Sequence, residues 1–194
     1  VQGSEVCSFI KPIFDAAECK KFGLDEIQQE ALDITHITLE ELESAPDIKT
    51  VWKSFCEYVE RYNVGKGGWD APIMCGYNSD NFDAEIIRRI AGVKPYNLGP
   101  FDKEYGQCSL FHPIHTIDIM KHIRAWTMFN REIRSVSMDS MRNYFGMSKS
   151  GAHNALVDVK QGAAILEKFF ELYKTISPLI KFKDCFVNHP EFGA

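Results

Sequence analysis

The stretch Gly151-Ala152-His153-Asn154-Ala155-Leu156-Val157-Asp158 sets a histidine and an aspartate five residues apart, at the threshold of a long helical pattern. The spacing predicts a helix from about Asn154 to Tyr173. One apolar stripe on it reads Leu156, Val159, Ala163, Leu166, Phe170 and Tyr173, and the stripe beside it Ala155, Asp158, Gly162, Ile165, Phe169 and Leu172. Both follow three/four spacing, and Asp158 is the only charged member of the second. A carboxylate aimed at a packed layer is costly unless something pairs with it, and a metal ion is the obvious partner. Five helical residues turn through roughly 500°, which leaves the two side chains about 140° apart. His153 is therefore expected on the loop before the helix, introduced by Ser148-Lys149-Ser150-Gly151. A mobile histidine beside a fixed carboxylate suits a general base that closes over a metal site. The plainer alternative makes Asp158 a dipole-compensating acid and His153 a solvated loop residue.

A second motif, Ile73-Met74-Cys75-Gly76-Tyr77-Asn78-Ser79-Asp80-Asn81-Phe82-Asp83, supports the chemical alternative. Ile73 to Cys75 is short and apolar, as a buried strand should be. Asn78 to Asn81 is a polar turn. A helix then begins near Phe82 and stops at Gly92. Asp83 thus falls just past the C-terminal end of a strand, the edge where open α/β sheets build their sites. Its bland alternative is again a helix N-terminal acid.

Together these motifs resemble the exonuclease family with four acidic metal-site residues and a catalytic histidine, the DEDDh class of the ribonuclease-H-like fold. Asn78 through Phe82-Asp83 is similar to the family's second motif, with one extra residue, and His153, Ala155 and Asp158 match every fixed position of its third. Ser8-Phe9-Ile10-Lys11-Pro12, the run Ala31 to Leu42 with Ala45-Pro46, and Ser137 to Met147 look like further family segments; His36 stands where glycine is usual. The similarity spans roughly residues 4 to 175. One departure is large: the family's first motif, Asp-x-Glu on a central strand, has no counterpart upstream of Ser8. The expected consequence is an upstream segment of roughly 15–30 residues carrying that motif, a size set by two strands and a turn.

The resemblance implies an α/β, ribonuclease-H-like exonuclease fold, a mixed central sheet flanked by helices, over residues 1–177, with 178–194 as a tail. It implies a 3′–5′ exonuclease that releases mononucleotides from the 3′ ends of DNA or RNA. Two divalent ions roughly 4 Å apart would serve the hydrolysis, and hard oxygen ligands select Mg²⁺ or Mn²⁺. By similarity Asp158 and Asp83 are metal ligands and His153 takes the proton from the attacking water. Tyr77 and Asn78 are candidates to hold the terminal nucleotide, with His36 a weaker one whose alternative is a solvated loop histidine. Phe82 is expected to anchor the core. The partner is a single-stranded 3′ end, and a polymerase or a second copy stays open. Two other classes also stay open: a catalytically inactive nucleic-acid-binding or scaffold domain of this fold, and an unrelated α/β protein.

Composition fits a one-domain enzyme. The 194 residues are 45% apolar, enough for a full core. A net charge of −5 argues against broad nonspecific DNA coating. The six cysteines show no C-x-x-C pair or zinc spacing and read as reduced core thiols of a cytoplasmic protein. No apolar run approaches membrane-spanning length. In chain order, Glu5–Ile10 reads as an edge strand and Asp15–Gln29 as loop and short helix. Thr38 opens a short helix with a capping box to Glu41, and Asp47–Tyr62 is amphipathic. A strand at Ile73–Gly76, a helix at Phe82–Ala91 and a Gly/Pro loop follow. Beyond them are a strand at Ile114–Ile117, a helix whose N-cap is Asp118, and a helix at Asp139–Phe145.

Overall fold

The computed structural model describes residues 5–151 and 154–180. Four short helices come first: α1 (Ala16–Phe22), α2 (Gln29–Thr35), α3 (Leu39–Ser44) and α4 (Ile48–Glu60). Their ends are set by local chemistry. Thr38 and Glu41 form a reciprocal capping box on α3, and the Asp47 carboxylate accepts the Lys49 and Thr50 amides at the start of α4.

Strand β1 (Met74–Gly76) then leads into α5 (Asp83–Gly92). A small ribbon, β2 (Phe101–Asp102) with β3 (Gln107–Cys108), occupies the stretch that reads as a loop in the sequence. Strand β4 (Thr116–Asp118) runs into α6 (Ile119–Thr127), followed by α7 (Met138–Phe145) and α8 (Ala155–Ile176). β1 and β4 pair in parallel, Met74 opposite Thr116 and Gly76 opposite Asp118. Both therefore end at the same edge.

The helices that follow these strands carry two apolar clusters. Trp52 and Val59 of α4 meet Ile90 and Ala91 of α5 and Cys108 and Leu110 in the first. Ile119 and Ile123 of α6, Met141 of α7, and Ile165, Leu166 and Phe169 of α8 make the second. No helix among the described residues is long and apolar enough to cross a membrane.

Four expectations are corrected. Residues 5–10 form no strand: a strand exists only through its ladder, and among the described residues the nearest such tie is the Lys11 amide to the Pro46 carbonyl, 2.9 Å. β1 is not buried throughout. Met74 is buried, while Ile73 and Cys75 point to the opposite, open face, as the period of two requires when only one face is covered. Cys7 and Cys75 are exposed and, among the described residues, only Cys19 and Cys108 are buried, so the core-thiol reading holds for part of the set. On α8 the stripe that packs is Gly162, Ile165 and Phe169 with Leu166 added, while Val159 and Phe170 face water.

Candidate active site

The shared edge of β1 and β4 gathers carboxylates. β4 ends in Asp118, which is 4% exposed. Its Oδ1 accepts the Met120 amide at 3.0 Å and the Asn78 amide at 2.9 Å. The first bond caps α6, as the sequence predicts; the second pins the turn that follows β1. That turn is further shaped by Asn78, whose φ of 58° lies in the left-handed region that asparagine tolerates. The Asn78 side-chain oxygen accepts from Asn81 Nδ2 at 3.1 Å. The turn delivers Asp83 to the first residue of α5.

Gly76 makes the crowding possible. A Cβ there would lie 2.7 Å from Ser79 Cβ and 3.7 Å from Asp83 Oδ2, so any side chain would displace the turn. Ser79 is 1% exposed, and its hydroxyl has no hydrogen-bond partner among the described residues. Buried hydroxyls of that kind are rare and ask for an explanation. Asp83 keeps a solvent-open side, yet packing around its carboxyl pushes the pKa above the usual carboxylate range, and the Asp118 charge adds to the rise. Crowded carboxylates of like charge beside an unsatisfied hydroxyl are a hard-oxygen donor set that a divalent cation would relieve. At the rim, Asp80 is paired with Lys121, and this hydrogen bond holds its carboxyl below the usual range.

Asp158 sits in the first turn of α8, a helix that packs against β1 and α6. Its partner is a guanidinium: Arg142 Nη2 donates to Asp158 Oδ1. Arg142 keeps 2% of its side-chain surface, and also donates to Asp139 Oδ1 and, at 2.6 Å, to Gln161 Oε1. Gln161 Nε2 in turn donates to the Ser148 carbonyl at 2.8 Å, at the base of the loop that leads to His153. Sequence reasoning missed Arg142, although it stands four residues after Met138 and three before Phe145, inside an apolar stripe. It also took Asp118 mainly as a cap and missed its proximity to Asp83.

The remaining candidates are placed unevenly. Tyr77 packs on the second cluster and its hydroxyl donates to the Val136 carbonyl at 2.6 Å; burial pushes its pKa up to about 12. Phe82 is not a core anchor. It is 62% exposed, because it stands at the N-cap of α5, a full two turns before the residues that bury that helix, Ile90 and Ala91. His36 is the C-cap of α2, and lines a cleft built only from residues 29–39, which includes neither Asp83 nor Asp158. His153 lies outside the described residues. Among the described residues no three His, Cys, Asp or Glu side chains form a ready metal cage.

A family model described as Exonuclease (RNase_T) matches residues 10–166. No curated protein and no solved structure gives a significant match.

Proposed function

The chain belongs to the exonuclease family, and from that premise we propose that it is a metal-dependent 3′–5′ exonuclease, releasing mononucleotides from single-stranded DNA or RNA ends. A nuclease hydrolase is what family membership supports by itself. The observation that carries the finer reading is the crowding of Asp83 against Gly76, Ser79 and Asp118 at the end of a parallel strand pair. Asp83 and Asp158 would hold Mg²⁺ or Mn²⁺, with Asp118 adding negative charge behind them. Bound there, the ions would neutralise the phosphate and the leaving oxygen. The proposed role of His153 is to take the proton of the attacking water. The exposed Phe82 ring, one residue from Asp83, offers a face on which the terminal base can stack. Asn78 and Tyr77 shape the turn beside it.

A second reading rests on the Arg142–Asp158 pair. A guanidinium already satisfies Asp158, as a catalytically inactive nucleic-acid-binding or scaffold domain would allow. One assay separates the two. With Mg²⁺ or Mn²⁺, a 3′-labelled oligonucleotide should lose its label at once and a 5′-labelled one should give a descending ladder. His153→Ala should slow this by roughly two to four powers of ten, and Asp83→Asn should weaken metal binding as well as turnover. Label release only from the 5′ end would refute the polarity; binding without any release would establish the inactive reading.

A further inference from the structure

The end of α6 and the loop after it turn large side chains toward water. Phe129 is 90% exposed, Met128 72%, Trp126 50% and Tyr144 43%. Contiguous apolar exposure of this kind marks a binding surface rather than an accident of packing. The support beneath it is built. Thr127 is buried, and Ile133 and Val136 pack on the second apolar cluster. The Asn130 amide donates to the Thr127 carbonyl at 2.9 Å, and Asn130 Oδ1 accepts the Glu132 amide at 3.0 Å. The Trp126 ring stands edge-on to core Phe169, centroids 6.3 Å apart. Trp126, Phe129 and Tyr144 line one cleft of about 510 Å³ with Asn130, Arg131 and Glu132.

The charge around this cleft opposes that of the whole chain. Ile119 to Ser135 carries Lys121, Arg124, Arg131 and Arg134 against Glu132 alone, in a chain of net charge −5. Arg124, Arg131 and Arg134 are exposed and, among the described residues, make no ion pair. The loop is also tied to the candidate active site, through the Tyr77 hydroxyl on the Val136 carbonyl.

We propose that this cleft binds a single polynucleotide strand continuing from the candidate active site, its bases stacked on Trp126, Phe129 and Tyr144 and its phosphates facing Arg131 and the neighbouring arginines. Flat exposed rings interleaved with cations are the chemistry of sequence-tolerant single-strand binding. A second copy of the chain fits less well: a twofold contact would set the same arginines against themselves. The inference extends the nuclease reading, but its test reads binding without turnover, so either can fail alone.

The test is fluorescence anisotropy of the 194-residue chain in EDTA, with labelled oligo-dT and oligo-U of about twenty nucleotides, longer than one binding module spans. Binding to either probe, stronger than to blunt duplex, is expected. Phe129→Ala, at a position with no packing to lose, should weaken it at least tenfold. Arg131→Gln should lower the slope of log affinity against log salt by about 0.7, the share of one phosphate on a single strand. Lys53→Gln, at an exposed position of α4 outside the cleft and the candidate active site, should leave binding intact, and EDTA keeps the result separate from hydrolysis. Equal affinity of Phe129→Ala and wild type overturns the proposal. So does a concentration-dependent doubling of mass that Phe129→Ala abolishes, which would make the cleft a self-association face. An acidic peptide that displaces the probe only from Arg131, with the ring variant unaffected, would equally sink it.

Discussion

A guanidinium with 2% of its surface in water must be neutralised where it stands, and Arg142 is held by Asp158, Asp139 and Gln161 together. The two carboxylates are not equivalent, since Asp139 keeps 56% of its side chain in solvent and Asp158 34%. Asp158→Asn leaves Arg142 one carboxylate and the amide, and should cost about 1 kcal/mol in urea denaturation. Asp139→Asn with Asp158→Asn strands the buried cation, and should cost roughly 3 kcal/mol or more, beyond the sum of the single changes. Simple additivity would show that the two acids do not stand in for one another in neutralising it. Asp80 gives a pH-dependent counterpart. Its folded pKa is lowered, first by the Lys121 hydrogen bond, so the stabilisation is present above the unfolded value of about 3.9 and fades as pH falls through the folded one. Lys121→Met should lower Tm at pH 7, modestly because the lysine is 64% exposed. The difference from wild type should close as the pH approaches 3; a gap that persisted there would assign the loss to packing.

At the scale of elements, helix ends show where local sequence decides and where it does not. α7 ends on Gly146 at φ 66°, and α2 ends on His36 at φ 57°. The same left-handed turn is free for the glycine and strained for the histidine. His36→Gly should therefore stabilise the chain by about 1 kcal/mol, read from the denaturant midpoint; a loss would mean that the imidazole holds something in its cleft. Caps of this kind were legible in advance. Thr38 with Glu41, Asp47 and Asp118 cap their helices within three residues of chain, so the sequence alone places α3, α4 and α6. What failed was non-local. Residues 5–10 alternate like a strand but have no ladder among the described residues. α8 carries two adjacent apolar stripes, and only the arrival of α6 and α7 decides that Ile165 and Phe169 are covered while Phe170 is not. The site divides the same way. Asp83 at a strand end was readable from spacing, whereas the Arg142 partner of Asp158 and the Asp118 charge near Asp83 come from segments 16 and 35 residues distant in sequence.

At the scale of the molecule, β1 leads into α5 of the first cluster and β4 into α6 of the second, so their pairing joins two cores built from different elements. α5 carries Asp83 and packs in the first cluster through Ile90 and Ala91; α8 carries Asp158 and packs in the second through Ile165, Leu166 and Phe169. The Asn78 amide on the Asp118 carboxylate crosses between the strands, but three paired residues are a slender connection. If the proposed ions are held by both Asp83 and Asp158, they staple the first cluster to the second as well as serving hydrolysis. A ligand bound only by the folded state stabilises by about 2.7 kcal/mol at a hundredfold excess over Kd, which for a chain of this size is a rise in Tm of roughly 5–10 °C. Differential scanning calorimetry with saturating Mn²⁺ should show that rise together with a sharper transition, as the two clusters come to unfold as one. Ile123→Ala, at a position with no exposure at all, should cost about 2–5 kcal/mol without the ion and should broaden the transition by loosening the second cluster first. Added Mn²⁺ should sharpen it again. Asp83→Asn should abolish both the shift and the sharpening, because it removes the ligand on one side of the staple. A Tm that rises equally in wild type and Asp83→Asn would place the ion elsewhere and leave the strand-end carboxylates without the role proposed for them.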